Sequence, residues 1–296
     1  MSVPASHVAF SPRRVGAIAR VTFTELARLK TFHFLLIFGL VLIGSSAFWL
    51  RFTFQEEFQL LRDVSLGAMS VFTSLLAMVS TAHLLPKDVE DRTLYTILAK
   101  PVPRFEYLTG KLLGVLAVLA VATAVMGALF WAVLAFRVQW VSAELVREMA
   151  GADPGQVAEA LAKVRASAFT PGLAAGVLVI FTKAALLSSL TLFISTFATS
   201  TIFTMVIAVA VYLIGHMQAT AREYWLSGQA PSPLARIFLA LVALVFPDLQ
   251  LFNLVDDLVA GNALPAVLLW KTLGMGGLYT GVYLMLAAFV FSKKEL

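Results

Sequence analysis

Residues 112–136 read LLGVLAVLAVATAVMGALFWAVLAF, a run of 25 residues without a charged side chain. A helix of this length measures about 38 Å at 1.5 Å per residue, which exceeds the roughly 30 Å of hydrocarbon in a bilayer. A helix on the surface of a soluble domain keeps one polar face, and this stretch has none. The stretch therefore predicts a helix that crosses a membrane.

The composition of the whole chain extends that prediction beyond one helix. Of 296 residues, 60% are hydrophobic and only 13% are charged, about half the charged share of a soluble domain. The chain has no cysteine, which excludes disulfides, thiolate metal sites and cysteine catalysis. We predict an all-α polytopic membrane protein whose residues 1–296 form a single transmembrane domain.

Further apolar stretches are long enough to cross the bilayer, which takes roughly 20 residues each. A shorter stretch at residues 234–246 contains Arg236 and is predicted to be re-entrant or interfacial. If it were instead a seventh span, the two ends of the chain would lie on opposite sides of the membrane. The six predicted spans are residues 32–50, 64–85, 112–136, 173–197, 201–217 and 265–291.

Lysine and arginine are unevenly divided between the two sides that these spans define. The N-terminal arm, the loop at residues 86–111 and the C-terminal tail together hold twelve of them. The three alternate connections are longer in total and hold eight. Because basic residues concentrate in cytoplasmic loops, we predict that both termini and the 86–111 loop are cytoplasmic.

Residues 1–31 form a basic arm and lack the apolar core and small-residue cleavage site of a signal peptide. From Pro12 onward, apolar residues recur at helical spacing with arginines between them. A basic amphipathic helix before a span commonly lies in the headgroup plane. Two compatible roles stay open, a membrane-surface anchor and an elbow helix that transmits motion into the first span.

The loop between the second and third spans carries the most informative motif. Residues 86–104 read PKDVEDRTLYTILAKPVPR, and residues 105–111 read FEYLTGK. We predict that Asp88, Glu90 and Asp91 occupy the first turn of a helix, where carboxylates complement the helix dipole, and that two prolines end it. A second helix then runs from Arg104 into the third span. A short amphipathic helix held between two spans suits docking into a groove on a soluble partner.

This loop resembles the signature of ABC-2 type transporter permeases, with its acidic cluster, Thr-Leu-x-x-Ile-Leu run, Pro-x-x-Arg step and later Gly-Lys pair. Together with Phe-Pro-Asp-Leu-Gln-Leu-Phe-Asn at residues 246–253, it is most similar to the subset associated with maturation of multicopper enzymes. Many members carry glycine where this chain has Arg92. The predicted docking residues are Asp88, Glu90, Asp91, Arg92, Thr93, Leu94, Ile97, Leu98, Pro101 and Arg104.

The resemblance implies a type-2 ABC exporter fold within a larger assembly. Such permeases lie in the bacterial inner membrane, pair with a second copy or a paralogue, and bind two cytoplasmic ATPase subunits. The loop helix would be the coupling helix that inserts into the ATPase. ATP and magnesium would be held by that partner, because this chain lacks a Gly-x-x-x-x-Gly-Lys-Ser/Thr phosphate loop. The fold does not define the substrate.

Lys183 lies near the middle of the fourth predicted span. A charge at that depth costs several kcal/mol unless it faces the bundle interior or water. We predict a contact with an anionic substrate or a gate, and a shifted helix boundary that lets the lysine reach the interface is the alternative. Lys271 is only six residues into the last span and is expected to snorkel.

The predicted function is that of the membrane-spanning permease subunit of an ATP-driven exporter without catalytic residues or a metal site of its own. An ion-coupled carrier or channel is an alternative, although none of the 17 acidic residues falls inside a predicted span. A mechanotransmission subunit that passes ATPase motion to an external partner without transport is another. The expected surroundings are the lipid bilayer and protein partners, and no nucleic acid.

Overall fold

The computed structural model describes residues 10–46, 54–90, 102–170, 172–198, 200–226, 247–253 and 265–293. Across these ranges every regular element is helical, which confirms the predicted all-α class. The elements are α1 Pro12–Ala27, α2 Lys30–Ser45, α3 Phe54–Ala82, α4 Leu84–Glu90, α5 Arg104–Glu148, α6 Pro154–Ala168, α7 Leu173–Phe197, α8 Thr201–Leu226, a 3₁₀ turn Leu249–Phe252 and α9 Ala266–Lys293.

The described residues include five helical segments that are long and apolar enough to cross a membrane. A sixth is added if α1 and α2, which meet at an angle of 67°, are counted together as one broken span. The polytopic membrane fold is thereby confirmed. The five segments are Glu57–Glu90, Arg104–Glu148, Pro154–Phe197, Thr201–Gln218 and Ala266–Lys293.

Large apolar side chains cover the outward faces of several helices. On α2, Phe34 and Ile37 are exposed, on α8 Ile202 is exposed, and on α9 Val267 and Trp270 are exposed. A contiguous apolar surface of this kind marks a membrane or protein contact. These faces are therefore available for contact with lipid or with another protein, whereas α3, α5 and α7 supply most of the enclosed core.

The innermost helix is α7, which packs against α9, α3 and α5. Its many small hydroxyl residues are satisfied within the helix itself. Ser188 Oγ donates to the carbonyl of Ala184, and Thr191 Oγ1 donates to that of Leu187. Because these hydroxyl protons are donated to carbonyl groups of the same helix, α7 can carry polar side chains and still pack closely inside a bilayer.

Helix α5 is much longer than the apolar run that predicts it. It contains 45 residues and therefore measures about 68 Å, more than twice the thickness of the hydrocarbon layer. The predicted span at residues 112–136 is its middle part. The helix thus extends past the hydrocarbon at both ends and connects structures on the two sides of the bundle.

The amphipathic helix α1 lies along the first turns of α5. Its buried residues are Val15, Thr22 and Leu26, which share one face. The helices approach closely because α5 has glycine at the crossing. A Cβ on Gly114 would stand 2.6 Å from Thr22 Cβ and 2.8 Å from the carbonyl oxygen of Ala19.

The position predicted for Asp88 and Glu90 is wrong, whereas Asp91 lies outside the described residues. Asp88 and Glu90 belong to α4, which begins at Leu84, so neither is in the first turn of that helix. The helix begins earlier than predicted because Pro86 falls in its first turn, where a missing N–H breaks no helical hydrogen bond. The predicted re-entrant segment, residues 234–246, lies outside the described residues.

The close α1–α5 crossing predicts that Gly114→Ala destabilises the protein by up to about 2 kcal/mol. The added methyl group has to displace backbone of α1, at roughly 1–3 kcal/mol for an overpacked contact, against about 1 kcal/mol of improved helix propensity. Thermal unfolding in detergent measures the difference.

The matched control is Gly127→Ala on the same helix. There an added Cβ meets only ordinary contacts, 3.7 Å from Val177 and 3.9 Å from Met69. This variant should be as stable as the wild type or more stable. Equal melting temperatures for the two variants would contradict the close approach of α1 to α5 at Gly114.

Candidate functional site

A group of charged residues joins α1, α4 and α5 at one end of the bundle. We call Glu25, Lys87, Asp88, Tyr107 and Lys111 the basal cluster. Lys111 Nζ lies 2.6 Å from Asp88 Oδ2 and 3.9 Å from Glu25 Oε2. Lys87 Nζ lies 2.7 Å from Glu25 Oε1, and the hydroxyl of Tyr107 donates to Asp88. Three helices are therefore linked by one continuous chain of ion pairs.

The central pair of the basal cluster is buried, because Lys111 is 5% exposed and Asp88 is 8% exposed. Two cations, Lys87 and Lys111, face two carboxylates, Glu25 and Asp88, so the charges balance. Removing one partner of a buried pair leaves an uncompensated charge and typically costs about 3–5 kcal/mol. The three helices are therefore held in one relative position at this end.

A second ion pair fixes the start of α1. Arg14 donates from Nε to Glu106 Oε2 at 2.7 Å and from Nη2 to Oε1 at 2.9 Å. The backbone N–H of Ser11 donates to the same carboxylate at 2.9 Å. Glu106 is buried in the first turn of α5, where a carboxylate also complements the helix dipole. Bidentate pairing of this kind is directional and sets the angle of α1 on α5.

The first residue of α5 binds the end of α9. Arg104 Nη1 donates to the carbonyl oxygens of Phe291 at 2.6 Å and Ser292 at 2.7 Å. A cation there compensates the negative end of the helix dipole and satisfies terminal carbonyl groups. The ring of Tyr107 stacks on Phe291 with centroids 6.0 Å apart. The C-terminal end of α9 is thus attached to the same region.

The predicted docking residues fall into different environments. Asp88 is buried within the basal cluster, and the half-buried Arg104 binds the end of α9, so both contact other helices of the bundle. Glu90 is exposed at the last position of α4, beside the exposed Val89. The other predicted docking residues, Asp91, Arg92, Thr93, Leu94, Ile97, Leu98 and Pro101, lie outside the described residues.

A separate polar cluster surrounds Lys183 in the middle of α7. Lys183 Nζ is 3.0 Å from His216 Nε2 and 3.4 Å from Ser70 Oγ, and it lies 5.5 Å from the ring centroid of Tyr212. The side chain is buried at 2% exposure, so it does not reach the interface. Among the described residues, these contacts come from α3 and α8 and include no carboxylate.

The 3₁₀ turn fixes the position of α8 beside this polar cluster. Gln250 Nε2 donates to the carbonyl oxygen of His216 at 2.7 Å. The carboxylate of Asp248 accepts from the backbone N–H of Gln250 at 3.1 Å and thereby stabilises the turn. The described part of the predicted motif, residues 247–253, therefore packs against α8 next to Lys183.

The other end of α5 is also held by charged residues. Arg137 Nη2 lies 2.8 Å from Glu57 Oε2 of α3, and Arg62 of α3 donates to the carbonyl oxygen of Ser167 at the end of α6. Arg137 follows Lys111 by 26 residues, which is about 39 Å along a helix. The two charged ends of α5 are therefore separated by more than the hydrocarbon thickness, as expected for a spanning helix.

These features define a polytopic membrane protein in which one long helix is anchored by ion pairs at both ends. A family model described as ABC-2 family transporter protein matches residues 15–296. The chain therefore belongs to the ABC-2 transporter family and is a permease component of an ABC transporter. This confirms the resemblance of the loop motif at the level of the family. None of the curated proteins matches the chain.

The sequence alone does not predict most partners in these clusters. The pairing of Asp88 with Lys111, and of Lys183 with His216, joins residues from different helices. The one signal in the sequence is the free-energy cost of a charged side chain inside an apolar span, because such a lysine needs polar neighbours. That signal identified Lys183 but not the residues around it.

Proposed function

We propose that this chain is the permease subunit of an exporter that is driven by ATP hydrolysis on a separate cytoplasmic ATPase. Two ATPase subunits would bind a pair of permeases, which are two copies of this chain or this chain and a paralogue. The observation that supports the proposal best is the basal cluster, which joins the ends of the coupling loop to a helix that spans the membrane.

The proposed docking segment lies directly between α4 and α5. Glu90 is the last described residue of α4 and α5 begins at Arg104, so the residues between them are joined to a helix on either side. Asp88, two residues before the end of α4, pairs with Lys111 in α5. A force applied to this segment by a bound ATPase would therefore act on α5 and α1 together.

The proposed orientation places the basal cluster on the cytoplasmic side. The loop at residues 86–111 and the N-terminal arm hold ten of the twelve basic residues that the predicted topology assigns to the cytoplasm. Both termini would then face the cytoplasm, and the bacterial inner membrane is the location that the family favours.

For the pathway we propose Lys183, whose ammonium group lies among α3, α7 and α8. Its described partners are a hydroxyl group, an imidazole and an aromatic ring. A carboxylate or phosphate group on a substrate would supply the missing opposite charge, since buried charges in membranes are normally paired. The cost of burying a lysine at this depth supports a role for Lys183 beyond packing.

The ATPase partnership is tested by affinity purification of the native complex in mild detergent, followed by subunit identification. The wild type should retain a phosphate-loop ATPase. A variant with Glu90→Ala, Leu94→Ala and Leu98→Ala should lose about 90% or more of it, because three truncated contacts of roughly 1 kcal/mol or more each weaken binding over a hundredfold.

A matched control carries Val157→Ala, Glu159→Ala and Leu161→Ala on α6, which again removes one acidic and two apolar side chains. It lies at the other end of the bundle and should keep the ATPase. Equal retention by both triple variants would contradict the assignment of the loop as the docking element.

If Lys183 lies on the transport pathway, Lys183→Met should lower the rate of ATP hydrolysis by the complex without lowering the melting temperature of the protein. Replacing a buried cation by an apolar side chain of similar length removes a desolvation cost, so the melting temperature should stay or rise. ATP hydrolysis by the assembled complex should fall at least about tenfold, which corresponds to about 1.4 kcal/mol.

Lys271→Met is the control for that measurement, because Lys271 is exposed near the start of α9. It should change neither the melting temperature nor hydrolysis. A Lys183→Met protein that melts at a lower temperature but hydrolyses ATP normally would show that the lysine has a purely structural role.

A further inference from the structure

An open groove of about 610 Å³ runs along α1, on the side where α4 approaches it. Six of its lining residues come from α1 and the two positions that follow it, and the seventh comes from α4. The groove is therefore built on the basal cluster but opens to the outside. Its lining residues are Arg20, Val21, Thr24, Glu25, Arg28, Leu29 and Lys87.

The described lining of the groove is positively charged. Arg20, Arg28 and Lys87 are three cations, and Glu25 is the single carboxylate, which leaves a balance of +2. Glu25 is already engaged by Lys87 at 2.7 Å and by Lys111 at 3.9 Å. Arg20 lies in the second half of α1 and Arg28 caps its C-terminal end, and both line the groove, so an anion bound in the groove can meet both.

The apolar residues of the groove indicate what kind of anion it accepts. Val21 lies between the cations and is 67% exposed, and Leu29 lines the end of the groove. A binding site for a soluble phosphate has no need for exposed apolar side chains. A groove with cations and an apolar floor matches a molecule that carries an anionic group and hydrocarbon together.

The groove also lies at the depth where such a molecule occurs. Leu29 is the residue at which the chain bends by 67° from α1 into α2. Within three turns of that bend, α2 exposes Phe34, Ile37 and Phe38, an apolar face that lipid covers. The groove therefore sits at the level where a basic amphipathic helix meets the headgroups.

We propose that this groove is a binding site for an anionic phospholipid, with the phosphate headgroup between Arg20, Arg28 and Lys87. The acyl chains continue past Leu29 along the exposed face of α2. The lipid then bridges α1 and α4, whose relative position the basal cluster sets. The site is distinct from the transport pathway and does not depend on the proposed ATPase partner.

The test is native mass spectrometry of the full chain in neutral detergent, titrated with dioctanoyl phosphatidylglycerol. The wild type should bind one copy more tightly than it binds dioctanoyl phosphatidylcholine. Arg20→Gln with Arg28→Gln should weaken phosphatidylglycerol binding by about 30-fold, because each basic residue beside an anionic surface contributes roughly fivefold. Arg20→Lys with Arg28→Lys keeps the charges and should retain most of the binding.

A matched control separates the groove from general electrostatics. Arg13 and Lys30 are exposed basic residues of the same region that do not line the groove. Arg13→Gln with Lys30→Gln removes the same charge and should reduce binding by less than about threefold, as expected for charges outside direct contact. An equal loss in the two Gln pairs would overturn the proposal.

Two further results would also overturn it. Equal affinity for phosphatidylcholine would show that the headgroup charge is not recognised. Competition by millimolar inorganic phosphate as effective as that by the lipid would identify a soluble anion as the occupant. Selective loss of phosphatidylglycerol in the groove variants alone, with phosphate ineffective, would support the lipid.

Discussion

The ion pair between Lys111 and Asp88 is the contact on which the arrangement of this end of the bundle depends. Both side chains are almost fully buried, and each would be a costly unpaired charge without the other. The pair joins the end of α4 to α5 across the loop, and Glu25 extends it to α1. A pair of this kind adds little net stability but strongly disfavours other arrangements. The close glycine crossing of α1 on α5 and the Arg14 contact to Glu106 join the same two helices in this arrangement.

Helix α5 carries the consequences of that pair across the membrane. Its first turns hold α1, α4 and the end of α9, and its far end is paired to α3 through Arg137 and Glu57. Between these ends, α3 and α7 pack against α5. Lys183 belongs to α7 and contacts α3. A displacement of the loop would thus reach the polar cluster through packed helices with few flexible joints, which suits a permease component of an ABC transporter.

The sequence predicts the apolar parts of this fold well, because crossing a bilayer demands a length and composition that few other structures share. The fourth predicted span, residues 173–197, has the same bounds as α7, since Gly172 and Ala198 end the helical conformation there. The predicted start of α5 at Arg104 is confirmed, whereas hydropathy does not predict its extension past Phe136, because residues 137–148 include several charged side chains. The partners of Asp88 and Lys183 were out of reach for the same reason: hydropathy is local, whereas ion pairs between helices depend on the fold.

The most direct test of the account is a distance measurement between α1 and α5 by double electron–electron resonance. The chain has no cysteine, so Ala17→Cys and Phe105→Cys, both at exposed positions, accept spin labels selectively, and labelled chains can be diluted with unlabelled ones. If the basal cluster holds the helices together, the distance distribution should be narrow and the same with and without ATP in the ATPase complex, and it should broaden when Asp88→Asn is added. A wild-type distance that changes with ATP, or a distribution that stays narrow in Asp88→Asn, would contradict the central role of the Lys111–Asp88 pair.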